Sequence, residues 1–154
     1  MEMTPDLPVT FYHSPSHADG GGVLLAYIVR TNYAGPGLEF HSDAAEALQV
    51  ATIDHPAGHA VPGHWHPPVP RQIARTQEVL VVTGGMAELD LYDPHDDQVC
   101  HTVLVGGGMV VVLFGTGHGL RVCGKARFTA VEVKVGPYVG KDRDKVLIEK
   151  PSVQ

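Results

Sequence analysis

The chain has 154 residues, is 44% hydrophobic but only 6% aromatic, and carries a formal net charge of −6. That length suits one domain with a real core. The acidic balance, with no cluster of Lys or Arg, excludes a nucleic-acid footprint, which needs a basic patch, and no apolar run approaches the roughly 20 residues of a membrane span. Cys100 and Cys123 lack CxxC spacing and are read as free thiols of a reducing compartment. The first ten residues hold acids and prolines instead of a basic-then-apolar leader, so a cytoplasmic location is expected.

In chain order, residues 1–22 contain Pro5, Pro8, Pro15 and a Gly20-Gly21-Gly22 run, and predict an irregular arm. A single domain is expected over 23–150. It opens with the apolar run 23–30 (VLLAYIVR), of strand length. Residues 42–48 (SDAAEAL) predict one helical turn, capped by Ser42 or Asp43. Strand signals then follow closely at 48–54, 60–66, 77–83, 86–92, 99–105, 109–114, 118–122, 128–135 and 145–149. Alternation is clearest at 86–92, where Leu89 and Leu91 share one side and Glu88, Asp90 and Tyr92 the other. Glycine pairs and triplets punctuate these runs. The pattern predicts an all-β fold, a sandwich or closed barrel, and not βαβ units.

Chemistry-bearing residues recur at fixed distances from glycines. His64 and His66 follow Gly58, Glu78 precedes Gly85, and His118 follows Gly107 and Gly115. Two histidines two positions apart point to the same side of a strand, where both can chelate one ion. Glu78 opens the next apolar run, and His118 follows the Gly115-Thr116-Gly117 turn. Three imidazoles and a carboxylate suit one divalent cation (Fe, Mn, Ni, Co or Zn), among which ligand type alone does not choose. His59 lies near the pair, whereas His13, His17, His41, His55, His95 and His101 are read as structural or solvated.

These spacings resemble the two motifs of the cupin superfamily. The first is matched by Gly58, His64, His66, Glu78 and Gly85, with a longer interval between His66 and Glu78 (PPVPRQIARTQ) than the family motif has. The second is matched by Gly107, Gly115 and His118, with Leu113, Gly108 and Val122 where the family often has Pro, Asp and Asn. A longer resemblance, to a widespread family of single-domain bacterial cupins, runs through TQEVLVVTGG, the LYD at 91–93, the GHG at 117–119, EVKVGPY and Asp144-Lys145. It implies a jelly-roll β-barrel with at most one or two short helices. It also implies a metal held by His64, His66, Glu78 and His118, and a homodimer, with 23–30 either pairing across the interface or taking a place inside the barrel.

Around that site, Arg71 and Arg75 fall in the long interval, at the expected mouth, where an arginine is suited to hold a carboxylate or phosphate. Arg71 is the stronger candidate for substrate binding; a solvated loop arginine is the alternative reading. Lys134 has two readings as well: the wet face of an outer sheet with Glu132, or an inward ammonium near the metal. Tyr138, after Gly136-Pro137, is placed over the opening in the second case. Trp65 is read as a packing or interface residue. Nothing resembles a P-loop or a Ser-His-Asp set. The functional expectation is a metal-dependent enzyme acting on a small, anionic or chelating metabolite, an oxygenase or related oxidoreductase first. The alternatives are an isomerase, cyclase or lyase with Glu78 as base, and a cupin that binds a sugar or metabolite without turnover.

Overall fold

The computed structural model describes residues 2–3, 7–18 and 20–148, and is nearly all β. Its strands are β1 (Glu2–Met3), β2 (Val9–His13), β3 (Leu24–Arg30), β4 (Gly37–Phe40), β5 (Ala51–Asp54) and β6 (Glu78–Gly84). They continue with β7 (Met86–Tyr92), β8 (Val99–Gly106), β9 (Met109–Leu113), β10 (His118–Cys123) and β11 (Thr129–Lys134), before one short helix, α1 (Lys141–Asp144). One sheet runs β1-β8-β7-β10, a second runs β11-β6-β9-β3-β2, and β4-β5 form a separate ribbon. All pairings are antiparallel except β1 with β8. The all-β expectation holds.

The glycine turns carry the chain between sheets. From β6 onward, Gly85 hands it from the second sheet to the first, Gly107-Gly108 returns it, the Gly115–Gly117 turn sends it across again, and Gly124 brings it back. Gly85 cannot be replaced cheaply: its φ is 74°, and a Cβ there would stand 2.2 Å from the carbonyl oxygen of Arg127.

Because the two sheets face each other, alternate residues of β3, β6 and β9 meet those of β7 and β8. Ala26, Ile28, Val82, Leu89, Leu91, Val103 and Val111 form this core. The opposite side of the second sheet is buried too. There Tyr27, Val29, Val79, Val112 and Phe114 lie beneath Leu48 and Val50 of the segment before β5. Covering on both sides is why 23–30 and 109–114 read as unbroken apolar runs instead of alternating ones. Each Val, Leu, Ile or Phe among them, fully buried, stabilises the fold by roughly 1.5–3 kcal/mol.

Several local expectations change. The arm over 1–22 is not wholly irregular: its prolines flank the β-prone sequence VTFYH, which becomes β2 and pairs with β3. Since β3 also pairs with β9, it has a neighbour on each side and occupies the interior place in the sheet. Residues 42–48 form turns instead of a helix. Asp43 Oδ1 accepts the Ala45 N–H at 2.8 Å, and Ser42 Oγ accepts the Val50 N–H at 2.8 Å. Local side-chain bonds thus supply what a helix would. Residues 60–66 form no strand: Pro56, Pro62, Pro67, Pro68 and Pro70 lie in or beside them, each lacking the N–H that a ladder needs. Residues 145–148 are likewise irregular, and Glu149 lies outside the described residues. Cys100 and Cys123 are free thiols, and no helix among the described residues is long and apolar enough to cross a membrane.

Candidate functional site

Glu78 and His118 begin β6 and β10, strands of different sheets, and the packing of the sheets brings these two beginnings together at one end of the sandwich. Glu78 Oε2 stands 3.3 Å from His118 Nε2. Its other oxygen, Oε1, lies 3.1 Å from Lys134 Nζ. Register explains that second contact, for Lys134 is the cross-strand partner of Glu78 in the β6–β11 pair. Lys134 also reaches Asp144 Oδ2 of α1, at 3.6 Å. The bond to Glu78, more than any other influence, raises the Lys134 pKa above its ordinary value; Asp144 adds to the rise. The inward reading of Lys134 is therefore the one its contacts follow.

His118 is held from behind. Its Nδ1 lies 3.1 Å from the Thr116 carbonyl oxygen. A carbonyl only accepts, so Nδ1 carries the hydrogen, and in neutral imidazole that leaves a bare lone pair on Nε2. That lone pair would face a carboxylate oxygen, acceptor against acceptor. The contact calls for something between the two atoms: a hydrogen shared by Nε2 and Oε2, or a cation held by both groups. Metal-bound histidines commonly donate their second nitrogen to a backbone carbonyl in this way.

A cleft of about 910 Å³ opens over the pair, lined by Glu78, His118, Arg75, Tyr92, Asp97 and Asp144 among others. Residues 145–148 of the C-terminal segment form one wall. Gly117 is what lets that wall approach, since a Cβ there would stand 2.6 Å from Ile148 Cδ1 and 2.9 Å from Tyr92 Cβ.

His64 and His66 stand elsewhere. Both are exposed in the proline-rich stretch before β6, their ring centroids 5.2 Å apart and nearly perpendicular. His64 Nδ1 donates to the Pro62 carbonyl at 2.9 Å, so its Nε2 is the bare nitrogen. Among the described residues, no three His, Cys, Asp or Glu side chains stand close enough to hold an ion between them. The four sequence-predicted ligands thus fall into two pairs. Their donor chemistry fits a divalent cation, and the Glu78–His118 spacing suits two neighbouring ligands, but the fold gathers only those two.

The remaining candidates divide in the same way. Arg75 lines the cleft, yet its charge is answered by Glu46 Oε1 at 3.0 Å and its guanidinium lies 5.7 Å from the Phe114 ring centre. Arg71 lines a neighbouring recess. Tyr138 is 72% exposed and lines neither space, and Trp65 is 78% exposed. Two contributors escape sequence reasoning. Asp144 sits on the far side of Lys134. Gln77 is buried, its Oε1 accepting the Leu48 N–H at 2.7 Å and its amide nitrogen donating to Glu46, which fixes the chain just before Glu78. Away from the cleft, His17, read as structural or solvated, makes a structural contact: it meets the buried Asp93 at 2.7 Å, and the His95 ring lies tilted against its own at 4.1 Å. A side chain's partner across the fold leaves no local signal; only the run TQEV marks Gln77 as adjoining the site.

Compared with protein-family models, curated proteins and solved structures, the chain matches none.

Proposed function

We propose that this protein is an enzyme of the cupin kind that acts on a small, anionic or metal-chelating metabolite at the Glu78–His118 cleft. A divalent cation would be held there by Glu78 and His118, and His64 and His66, which stand apart in this structure, would complete the set only by a movement of their exposed loop. The observation that carries this reading is the approach of His118 Nε2 to Glu78 Oε2 at 3.3 Å, with Nδ1 already committed to Thr116. The motif resemblance supports the same four residues. When bound, such an ion supplies Lewis acidity, or redox chemistry if it is iron, so a metal-dependent oxygenase is the first reaction class. The chain's own residues do the positioning: Lys134 fixes one oxygen of Glu78, the Thr116 carbonyl fixes the ring of His118, and the wall at 145–148 narrows access for water.

A second reading puts a proton where the first puts a cation. With a proton on His118 Nε2, Glu78, His118 and Lys134 form a proton-transfer cluster suited to isomerase, cyclase or lyase chemistry. We also propose a homodimer, supported by β11, an edge strand whose Val131 and Val133 are 56% and 48% exposed.

Elemental analysis of protein purified without added metal tests the first reading. Trp65, the sole tryptophan, stands between His64 and His66 and serves as a reporter. On titration with Zn(II) or anaerobic Fe(II), its emission should shift to the blue as the histidine pair leaves water. His118→Ala should abolish the shift. Absence of metal in the purified protein, together with a silent Trp65 on titration, would leave only the proton-transfer reading. Oxygen uptake by Fe(II)-loaded protein over a metabolite panel separates oxygenase from non-redox chemistry, and light scattering reads the dimer.

A further inference from the structure

Beside the cleft lies a second recess of about 450 Å³, and Arg75, Thr76 and Asp144 line both spaces, so the two adjoin. Three arginines line this recess, Arg71, Arg75 and Arg143, against one acidic residue, Asp144. Such a concentration stands out in a chain with a net charge of −6. Two of these charges are already answered, Arg75 by Glu46 and Asp144 by Lys134. Arg71 and Arg143 are not. Among the described residues neither meets a carboxylate; Arg71 Nη1 donates to the Val69 carbonyl at 3.5 Å and Arg143 Nε to the Val139 carbonyl at 3.1 Å. A guanidinium has five N–H donors, so each retains most of its capacity. The two come from distant parts of the chain, one before β6 and one in α1, and the fold directs both to one concave surface.

We infer that Arg71 and Arg143 form an oxyanion subsite that takes the terminal phosphate or carboxylate of the small molecule whose other end lies at Glu78 and His118. Fixed, planar, forked donors match both anions, and paired arginines hold them through charge-assisted hydrogen bonds. The recess adjoins the cleft on the side of Asp144, so one ligand spans the two spaces. Asp144 disfavours an anion at its own end of the recess, and its engagement with Lys134 lessens that effect. The inference rests on the cleft being the reaction site and narrows its substrate to a molecule with an anionic tail.

Calorimetric titration of the full chain at low ionic strength, with inorganic phosphate and separately with succinate as probes, tests it. At least one probe should bind, and Arg71→Gln and Arg143→Gln should each weaken it by about tenfold or more, as expected for loss of a charge-assisted pair. Arg71→Lys should retain more affinity than Arg71→Gln. Which probe binds tells phosphate from carboxylate. His118→Ala should leave the affinity within about twofold, since His118 lines the cleft and not this recess. Both arginines are exposed and, among the described residues, bonded only to backbone carbonyls, so unchanged melting of their variants is expected. No binding of either probe overturns the subsite. So does binding lost in His118→Ala but kept in both arginine variants, a result that places the anion in the cleft and leaves the proposed function standing. A silent Trp65 with intact phosphate or succinate binding at the arginines has the opposite meaning: the metal reading fails and the subsite survives.

Discussion

Replacing Lys134 by methionine strands two carboxylates at once. The ammonium lies between Glu78 at 3.1 Å and Asp144 at 3.6 Å, and the side chains of Lys134, Glu78 and Asp144 are only 23%, 15% and 10% exposed. Removing one partner of a fully buried ion pair costs about 3–5 kcal/mol, whereas an exposed pair is worth about 0–1 kcal/mol. These groups lie between those limits, so Lys134→Met should destabilise the fold by about 1–2 kcal/mol. Methionine fills the same unbranched path, which keeps packing loss small. At about 2–4 °C per kcal/mol for a chain of this size, melting should fall by roughly 2–8 °C. Adding Asp144→Asn to Lys134→Met should recover part of the loss, because one stranded charge is removed. The bond to Glu78 raises the lysine pKa in the folded protein, so its contribution is fully present below the ordinary value of about 10.4 and is lost as pH rises through the raised one. The gap between wild type and variant should therefore stay level from neutral pH to about pH 9 and close above about 10.5. Differential scanning calorimetry across that range reads both effects. A variant that melts with wild type at neutral pH, or a gap that persists undiminished in strong alkali, would refute the reasoning.

Gly85→Ala should cost about 3 kcal/mol or more, from the left-handed backbone and the clash with Arg127, and equilibrium urea unfolding measures it. Asp93→Asn should destabilise the β7–β8 turn. The His95 N–H above all, and then His17, lowers the Asp93 pKa, so the carboxylate's contribution is present above about pH 3.9 and disappears as pH falls through the lowered value. The melting difference between wild type and Asp93→Asn should accordingly vanish in strong acid; a constant difference down to pH 2 would count against a carboxylate held by the His95 N–H and His17. Affinity for Zn(II) should fall steeply as pH drops below about 6, because protons and cations compete for imidazole nitrogen. Level occupancy down to about pH 4.5 would remove histidine from the ligand set.

Much of the β pattern is legible in the chain because it is local. Strands 86–92 and 99–106 follow from alternation and from the turn residues between them, and the glycine turns from Gly84 onward mark each passage between sheets. Legibility fails where two local signals compete. Residues 60–66 hold valine and aromatic character but also prolines, and the missing N–H groups prevail. At 42–48, helix-forming Ala, Glu and Leu follow Asp43 and Ser42, whose side chains bond the nearby backbone first. In 1–22 the prolines conceal a short β-prone run between them. Part of the site is legible too: Glu78, His118 and Lys134 are the members that the strands bring together. The placing of Arg71 beside Arg143, of Asp144 beside Lys134 and of His17 against Asp93 depends on contacts between distant segments.

The sequence alone determines that this chain is a β protein with glycine-governed turns, and it singles out three histidines and a carboxylate by their spacing from glycines, since side-chain chemistry and two-residue periodicity are properties of short stretches. Tertiary structure alone decides which of them meet. Glu78 and His118 belong to different sheets and converge only because the sheets stack, and the exposed loop leaves His64 and His66 apart from them. Convergence comes from packing between strands distant in sequence, which no local pattern encodes.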